Sequence, residues 1–221
     1  MIHLSKKAVR TLPSRHKANL INTISGYKSA NLIASQSKEG ATNVAVFNSV
    51  IHLGSNPALL GFVLRPLTVE RHTYDNIKAT STYTINAVTE EIYKRAHATS
   101  AKYKKEESEF AKTGLTESYQ GDFPSPFVEE SPIQIGCSYV NEYEIQENGC
   151  ILMVGAIEDI YIQESVLLDD YWAKLDEVNL VSIVGLDGYA KPKITDRLSY
   201  AKPDETLESL IHGAQESESS H

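Results

Sequence analysis

The chain has 221 residues, of which 41% are hydrophobic and 23% are charged, as in one ordinary globular domain. Its 29 acidic residues outnumber its 21 basic residues, which gives a formal net charge of -8. This balance argues against a nucleic-acid-binding protein, because phosphate backbones are attracted mainly through lysine and arginine. No segment is apolar enough to span a bilayer, and the N-terminus lacks the apolar core of a signal peptide. We therefore expect a cytoplasmic protein without membrane contact.

Strands dominate the predicted elements. In chain order, β-branched and alternating patterns predict strands over 20–33, 43–53, 58–64, 81–88, 133–145, 150–162 and 178–184. Short helices are predicted over 74–79, with Thr73 as the N-cap, and over 90–98 and 106–112. The pattern predicts a mainly β fold with short helices, built as a closed or partly closed antiparallel barrel. The wide gap between 88 and 133 predicts a helical insertion.

Residues 1–203 are predicted to form one domain. The remaining segment, 204–221, is predicted to be disordered at its end, because 214–221 is polar and has no large apolar residue. The histidines are scattered without metal-ligand spacing, so no metal site is predicted.

The chain has two cysteines, Cys137 and Cys150. The Asn148-Gly149 pair between them is a strong hairpin signal, which would place Cys150 opposite a residue near Gln146. We therefore expect no disulfide bond, which fits a reducing compartment.

Residues 47–86 contain the groups best suited to a ligand. The polar run Asn48-Ser49-Val50 follows a strand, and a loop with glycine, serine and proline then allows close approach of the backbone. Further on, Arg65, Arg71 and Thr73 surround the start of a predicted helix, where free amides and the helix dipole favour an anion such as a phosphate monoester. The alternative is that Thr73 only caps its helix and the arginines are solvated. Neither a GxGxxG nor a Walker motif is present.

This segment resembles the signature region of the flavin reductase-like, FMN-binding split-barrel family, which includes flavoredoxins and the reductase components of two-component monooxygenases. The matching features are a small polar pair after a strand, a loop with Ser and Pro, an apolar strand ending in Arg-Pro, and a Thr-Tyr helix start. Here they read Asn48-Ser49, Ser55 and Pro57, Arg65-Pro66, and Thr73-Tyr74. Looser matches at 97–115 and 188–203 extend the resemblance over most of 19–203.

The resemblance implies an antiparallel, Greek-key-like split barrel that forms a homodimer and binds FMN at the dimer interface. It implies that Asn48, Ser49 and Val50 approach the ribityl chain and the ring edge, and that Ser55 covers part of the isoalloxazine. Arg65 and Thr73 are expected to hold the phosphate.

Four further residues are assigned by the same resemblance. Ser100 and Lys102 are expected to assist at the phosphate. His97 is expected either to contact the flavin or to cap its helix at Ala98. Tyr189 is expected either to stack near the open face of the ring or to serve as a core or dimer-interface residue.

The implied function is that of an oxidoreductase that passes hydride or electrons from NADH or NADPH through FMN to free flavin or another acceptor. The alternative is a non-catalytic FMN-binding electron carrier; a third is a barrel that binds another small ligand or only a partner protein. Reductase components often carry a histidine in the hairpin that reads 149–155 here, and this chain has none there. That departure puts oxidation of NAD(P)H in question more than flavin binding.

Overall fold

A computed structural model describes residues 1–104 and 107–211. The helices are α1 (Lys6–Thr11), α2 (Ser14–Thr23), α3 (His72–Thr80), α4 (Tyr93–Ala98) and α5 (Glu109–Thr113), with a 3₁₀ turn at Glu164–Val166. The strands are β1 (Lys28–Ser29), β2 (Asn31–Gln36), β3 (Thr42–Phe47), β4 (Ile51–Ser55), β5 (Ala58–Leu64), β6 (Thr82–Ala87), β7 (Glu117–Ser118), β8 (Phe127–Val128), β9 (Ile133–Ile145), β10 (Cys150–Ile162), β11 (Ser182–Val184) and β12 (Gly188–Ala190).

Seven of these strands form one antiparallel sheet in the order β3-β2-β6-β9-β10-β5-β4. The two edge strands, β3 and β4, are joined by only the three residues 48–50. Such a link spans at most about 14 Å, so the end of β3 must lie near the start of β4. The sheet therefore curls into a barrel that is split along one seam between β3 and β4, which confirms the predicted split-barrel fold.

Side chains from the two faces of the sheet enter two hydrophobic clusters. Strand β2 shows the division, because Ile33 enters one cluster whereas Leu32 and Ala34 enter the other. In the cluster with Ile33, Phe62 packs edge-on against both Phe47 and Tyr83, with ring centroids 5.3 and 5.5 Å apart. The other cluster joins the sheet to the insertion that carries α4 and α5.

Three predicted strands, 58–64, 133–145 and 150–162, have the same bounds in the structure as β5, β9 and β10. The hairpin prediction is also confirmed, because Cys150 lies opposite Ile145. Both cysteines are free thiols.

Other predictions about elements were wrong. The first part of the predicted strand 20–33 belongs to α2, because Leu20 and Ile24 have the i, i+4 spacing of a helix rather than a strand alternation. The predicted strand 43–53 is two strands, interrupted at the seam. Thr73 is not the N-cap of α3, because the helix already begins at His72 and Arg71 occupies the cap position.

The polar tail 212–221 lies outside the described residues, so its predicted disorder stays a prediction. Before it, Leu198 pairs with Ser209 in an antiparallel bridge, so the segment after 203 folds back on the segment before it. Within the described ranges, the structure shows no helix with the length and hydrophobicity needed to cross a bilayer.

Candidate functional site

A cleft of about 490 Å³ lies at the split of the barrel. It is bounded by the end of β3, the end of β5, the start of α3 and the loop after α4. Six of the ten predicted site residues line it: Asn48, Ser49, Arg65, Thr73, Ser100 and Lys102. Because these residues come from four separate segments of the chain, only the closure of the barrel brings them together.

The start of α3 forms one end of the cleft. Arg71, at the N-cap, makes no side-chain hydrogen bond to the helix, so the first-turn amides have no side-chain cap. Thr73 is buried one residue into the helix, and its Oγ1 accepts a hydrogen bond of 3.0 Å from Asn43 Nδ2. Free amides and the positive end of the helix dipole at this position favour an anion.

Arginine and lysine side chains add positive charge to the cleft. The Nε atom of Arg71 is buried and has no hydrogen-bond partner among the described residues. A buried donor without a partner costs about 1–3 kcal/mol, and more when it is charged. Arg65 and Lys102 line the same cleft and are exposed, so they can approach an anion from the solvent side.

The residues of the seam, 48–50, already use their side chains within the protein. Asn48 Nδ2 donates to the carbonyl of Gly185 at 3.0 Å. Ser49 Oγ accepts from the amide of Val63 and donates to its carbonyl, both at 3.1 Å, and so ties the seam to β5. These contacts tie the seam to the loop at Gly185 and to β5.

The other four predicted site residues do not line this cleft. The Val50 side chain packs against the cluster that contains Phe62, and Ser55 lies on exposed β4 with its hydroxyl 3.1 Å from His52 Nε2. His97 Nδ1 and Tyr189 Oη lie 3.1 Å apart as a pair.

The environment of His97 and Tyr189 is partly buried. Tyr189 packs against Tyr93, with ring centroids 5.1 Å apart, and burial raises the pKa of Tyr189 to about 12. His97 lies in the last turn of α4, whose C-cap is Thr99. In this structure Tyr189 is therefore part of the packing between α4 and β12.

A family model of the flavin reductase like domain matches residues 26–174, two thirds of the chain. The chain belongs to the flavin reductase-like family. A flavin-reductase-like protein with a split barrel domain from Shewanella frigidimarina NCIMB 400 is 43% identical, with a TM-score of 0.88. The match covers 91% of this chain and 100% of that one.

Two more distant structures share the split-barrel fold. Nitrilotriacetate monooxygenase component B from Bacillus cereus is 18% identical, with a TM-score of 0.77 and coverage of 90% of this chain and 98% of that chain. The 2-nitrobenzoate 2-nitroreductase NbaA from Pseudomonas fluorescens is 21% identical, with a TM-score of 0.74 and coverage of 92% and 97%. These two likenesses concern the fold alone.

Sequence reasoning missed three residues that shape the cleft of this flavin reductase-like domain: Asn43, Thr99 and Glu109. Thr99 Oγ1 accepts a 2.9 Å hydrogen bond from the amide of Val46, and Glu109 Oε2 accepts one of 3.3 Å from the amide of Val44. Both acceptors come from the insertion and satisfy outward amides of edge strand β3. No local pattern marks these two acceptors, because their partners are 53 and 65 residues away.

Replacing Thr99 by valine is expected to lower the free energy of unfolding by about 1–3 kcal/mol. Valine is similar in size to threonine but has no hydroxyl, so the amide of Val46 loses its acceptor. Urea denaturation measures this change. Thr99→Ser, which keeps the hydroxyl, is the matched control and should lose much less. Equal losses in the two variants would contradict the role of the hydrogen bond.

Burial raises the pKa of the Glu109 carboxyl above its ordinary value, although the amide of Val44 and the charge of His72 act in the opposite direction. The folded protein therefore binds this proton more tightly than the unfolded chain does. The stability that this group contributes is complete below pH 4.5 and is lost as the pH rises through the folded-state pKa.

We expect Glu109→Gln to remove the loss of stability that accompanies rising pH, while the glutamine still provides an acceptor for the amide of Val44. The free energy of unfolding of the variant, relative to the wild type, should rise between pH 4.5 and pH 7. Urea denaturation at the two pH values tests this expectation, and parallel pH dependence of the two proteins would contradict it.

Proposed function

We propose that this chain is an FMN-binding flavoprotein and an oxidoreductase, which passes hydride or electrons from NADH or NADPH through FMN to free flavin or another acceptor. The observation that supports it most directly is the buried, unpartnered Nε of Arg71 at the uncapped start of α3. A phosphate monoester supplies the negative charge and the acceptors that this end of the cleft lacks.

In this proposal the phosphate lies at the start of α3. The free amides of the first turn, Arg71 and Thr73 hold it from inside, and Arg65, Ser100 and Lys102 hold it from the solvent side. The flavin ring lies along the seam, where Asn48 and Ser49 fix the backbone that faces the ring through their bonds to Gly185 and Val63. Val50 supports the seam from the barrel interior, and Ser55 lies farther along β4.

When bound, FMN accepts a hydride from a nicotinamide and passes electrons on. The residues of this chain then have three tasks: they neutralise the phosphate, fix the plane of the ring and exclude water from one of its faces. The side chain of Glu109 also lines the cleft and is a buried carboxyl with a raised pKa, so the cleft has a proton-binding group close to the anion end.

Flavin binding is tested by the absorbance of the purified protein near 450 nm and by titration of apoprotein with FMN, riboflavin and FAD. We expect FMN to bind more tightly than riboflavin, because only FMN has the terminal phosphate. Absence of flavin in the purified protein together with no uptake of added FMN would remove the proposed function.

Catalysis is tested separately by anaerobic mixing of the FMN-loaded protein with NADH or NADPH. The proposal expects the flavin absorbance to bleach within seconds. The missing histidine in 149–155 makes this the critical experiment, because the alternative function is an electron carrier that binds FMN without oxidising nicotinamide. FMN binding without bleaching would favour that carrier.

We also propose that the functional unit is a homodimer. Edge strand β4 carries the exposed apolar side chains of Ile51 and Leu53, which are 46% and 40% exposed. Neighbouring apolar residues on an exposed strand are typical of a surface that another chain covers. Light scattering at the mass of one chain would refute this assembly.

A further inference from the structure

Residues 1–27, here called the N-terminal arm, have a charge opposite to that of the rest of the chain. The arm contains five basic residues, Lys6, Lys7, Arg10, Arg15 and Lys17, and no acidic residue. The remaining 194 residues contain 16 basic and 29 acidic residues. The family match begins at residue 26, so almost the whole arm precedes the part of the chain that matches the family model.

The two helices of the arm pack poorly against their own chain. Neither α1 nor α2 contains a buried residue. Ile21, Ile24 and Tyr27, at and after the end of α2, are 48%, 67% and 71% exposed. Helices of six and ten residues are too short to be stable alone in water, so most of their stability must come from packing against another surface.

We propose that the N-terminal arm packs on the acidic surface of a second copy of this chain. The inference rests on the proposed homodimer and adds the segment that holds the two copies together. The charge of the arm is complementary to that of the other 194 residues, and the exposed apolar side chains of Ile21 and Ile24 supply the area to be buried.

Two other occupants fit less well. A helix that lies on a lipid surface separates basic and apolar residues across its two faces. In α2 they are separated along the axis instead, with Arg15 and Lys17 near the start and Leu20 and Ile21 near the end. A nucleic acid would be repelled by the excess of acidic residues in the rest of the chain.

The base of the arm also contacts the loop that bonds to the seam of the candidate cleft. Thr23, the last residue of α2, lies so close to Gly185 that a Cβ built on Gly185 would be 2.9 Å from Thr23 Cγ2. The carbonyl of Gly185 in turn accepts the hydrogen bond from Asn48. Docking of the arm on a second copy therefore fixes a loop that holds the seam of the cleft.

The first experiment compares two full-length variants with the same change in net charge. In the arm variant Lys6→Glu, Lys7→Glu and Arg10→Glu are combined; in the control, Lys38→Glu, Lys94→Glu and Lys193→Glu are combined. We expect the arm variant to raise the dimer Kd about tenfold or more and the control to change it much less, because only the arm variant places like charges at the contact. Analytical ultracentrifugation measures both, and equal changes would overturn the inference.

The second experiment identifies the chain that the arm touches. Isotope-labelled and unlabelled proteins are mixed, and lysines are coupled to carboxylates with a zero-length carbodiimide. Because the arm has no carboxylate side chain, each link from Lys6 or Lys7 must reach a residue outside the arm. Peptides that join a labelled arm to an unlabelled acceptor support the proposal, and links confined to one chain overturn it.

Two outcomes separate this inference from the proposals on which it rests. A wild-type monomer in the ultracentrifuge overturns both the dimer and the arm contact, but leaves the FMN titration as an independent test of function. A different pattern would overturn the inference in favour of a lipid surface: the wild type pellets with anionic phospholipid vesicles, and the arm variant does not, although its dimer Kd is unchanged.

Discussion

Replacing Arg71 by alanine is expected to weaken FMN binding about 10- to 100-fold while leaving the affinity for riboflavin nearly unchanged, because a set of hydrogen bonds to a charged group contributes about 1.5–3 kcal/mol. The Nε of Arg71 is the buried donor that lacks a partner at the anion end of the cleft. Arg65→Ala should have a smaller effect in the same direction, because Arg65 is exposed and its charge is screened by water. Quenching of flavin fluorescence on titration gives both affinities.

The control for these variants is Lys94→Ala, which removes one positive charge from the exposed surface of α4, outside the cleft. This variant should bind FMN and riboflavin like the wild type. If Arg71→Ala weakens FMN and riboflavin by the same factor, then Arg71 does not act on the phosphate and its effect is on the shape of the cleft.

A second large effect is expected from Gly155→Ala, which should lower the free energy of unfolding by about 3 kcal/mol, at the upper end of the usual cost of overpacking a core. A Cβ at residue 155 would lie 2.0 Å from Tyr83 Oη and 2.9 Å from Tyr83 Cζ. Tyr83 is fully buried among the barrel side chains, so its ring has no free space into which to move. Thermal or urea denaturation measures the loss.

The double variant Gly155→Ala with Tyr83→Phe tests the cause of that loss. Removing the hydroxyl eliminates the shortest contact, so part of the stability should return in the double variant. Tyr83→Phe alone should cost less than Gly155→Ala, since the hydroxyl has no nitrogen or oxygen partner among the described residues and only the thiol of Cys137 lies beside it. If the two substitutions simply add, the clash with the hydroxyl is not the reason for the loss.

The barrel strands were predictable because they are long and locally consistent. Strands β9 and β10 each have 13 residues around a strong turn signal, and β5 ends where Arg65-Pro66 begins, so their bounds follow from local patterns. Helix α2 was mispredicted because none of its residues is buried, so its apolar residues form no continuous buried face, and the i, i+4 spacing of Leu20 and Ile24 was interpreted as part of a strand.

The sequence predicted which residues line the site better than it predicted how they are arranged. The residue types around the seam and the start of α3 indicate an anion and a flat ligand, and six of the predicted residues do meet in one cleft. Two details depend on how distant strands are placed: Arg71 rather than Thr73 occupies the N-cap position of α3, and Ser49 bonds to β5. Whether these residues bind FMN stays a prediction.

The outward amides of β3 illustrate a further consequence of the insertion. An exposed edge strand is a template on which a foreign strand can add, and such addition is the usual route from a folded sheet to fibrils and aggregates. Thr99 and Glu109 occupy the amides of Val46 and Val44 that an incoming strand would need. The insertion thus protects the barrel against polymerisation along β3. A variant that loses these two hydrogen bonds should therefore aggregate at high protein concentration.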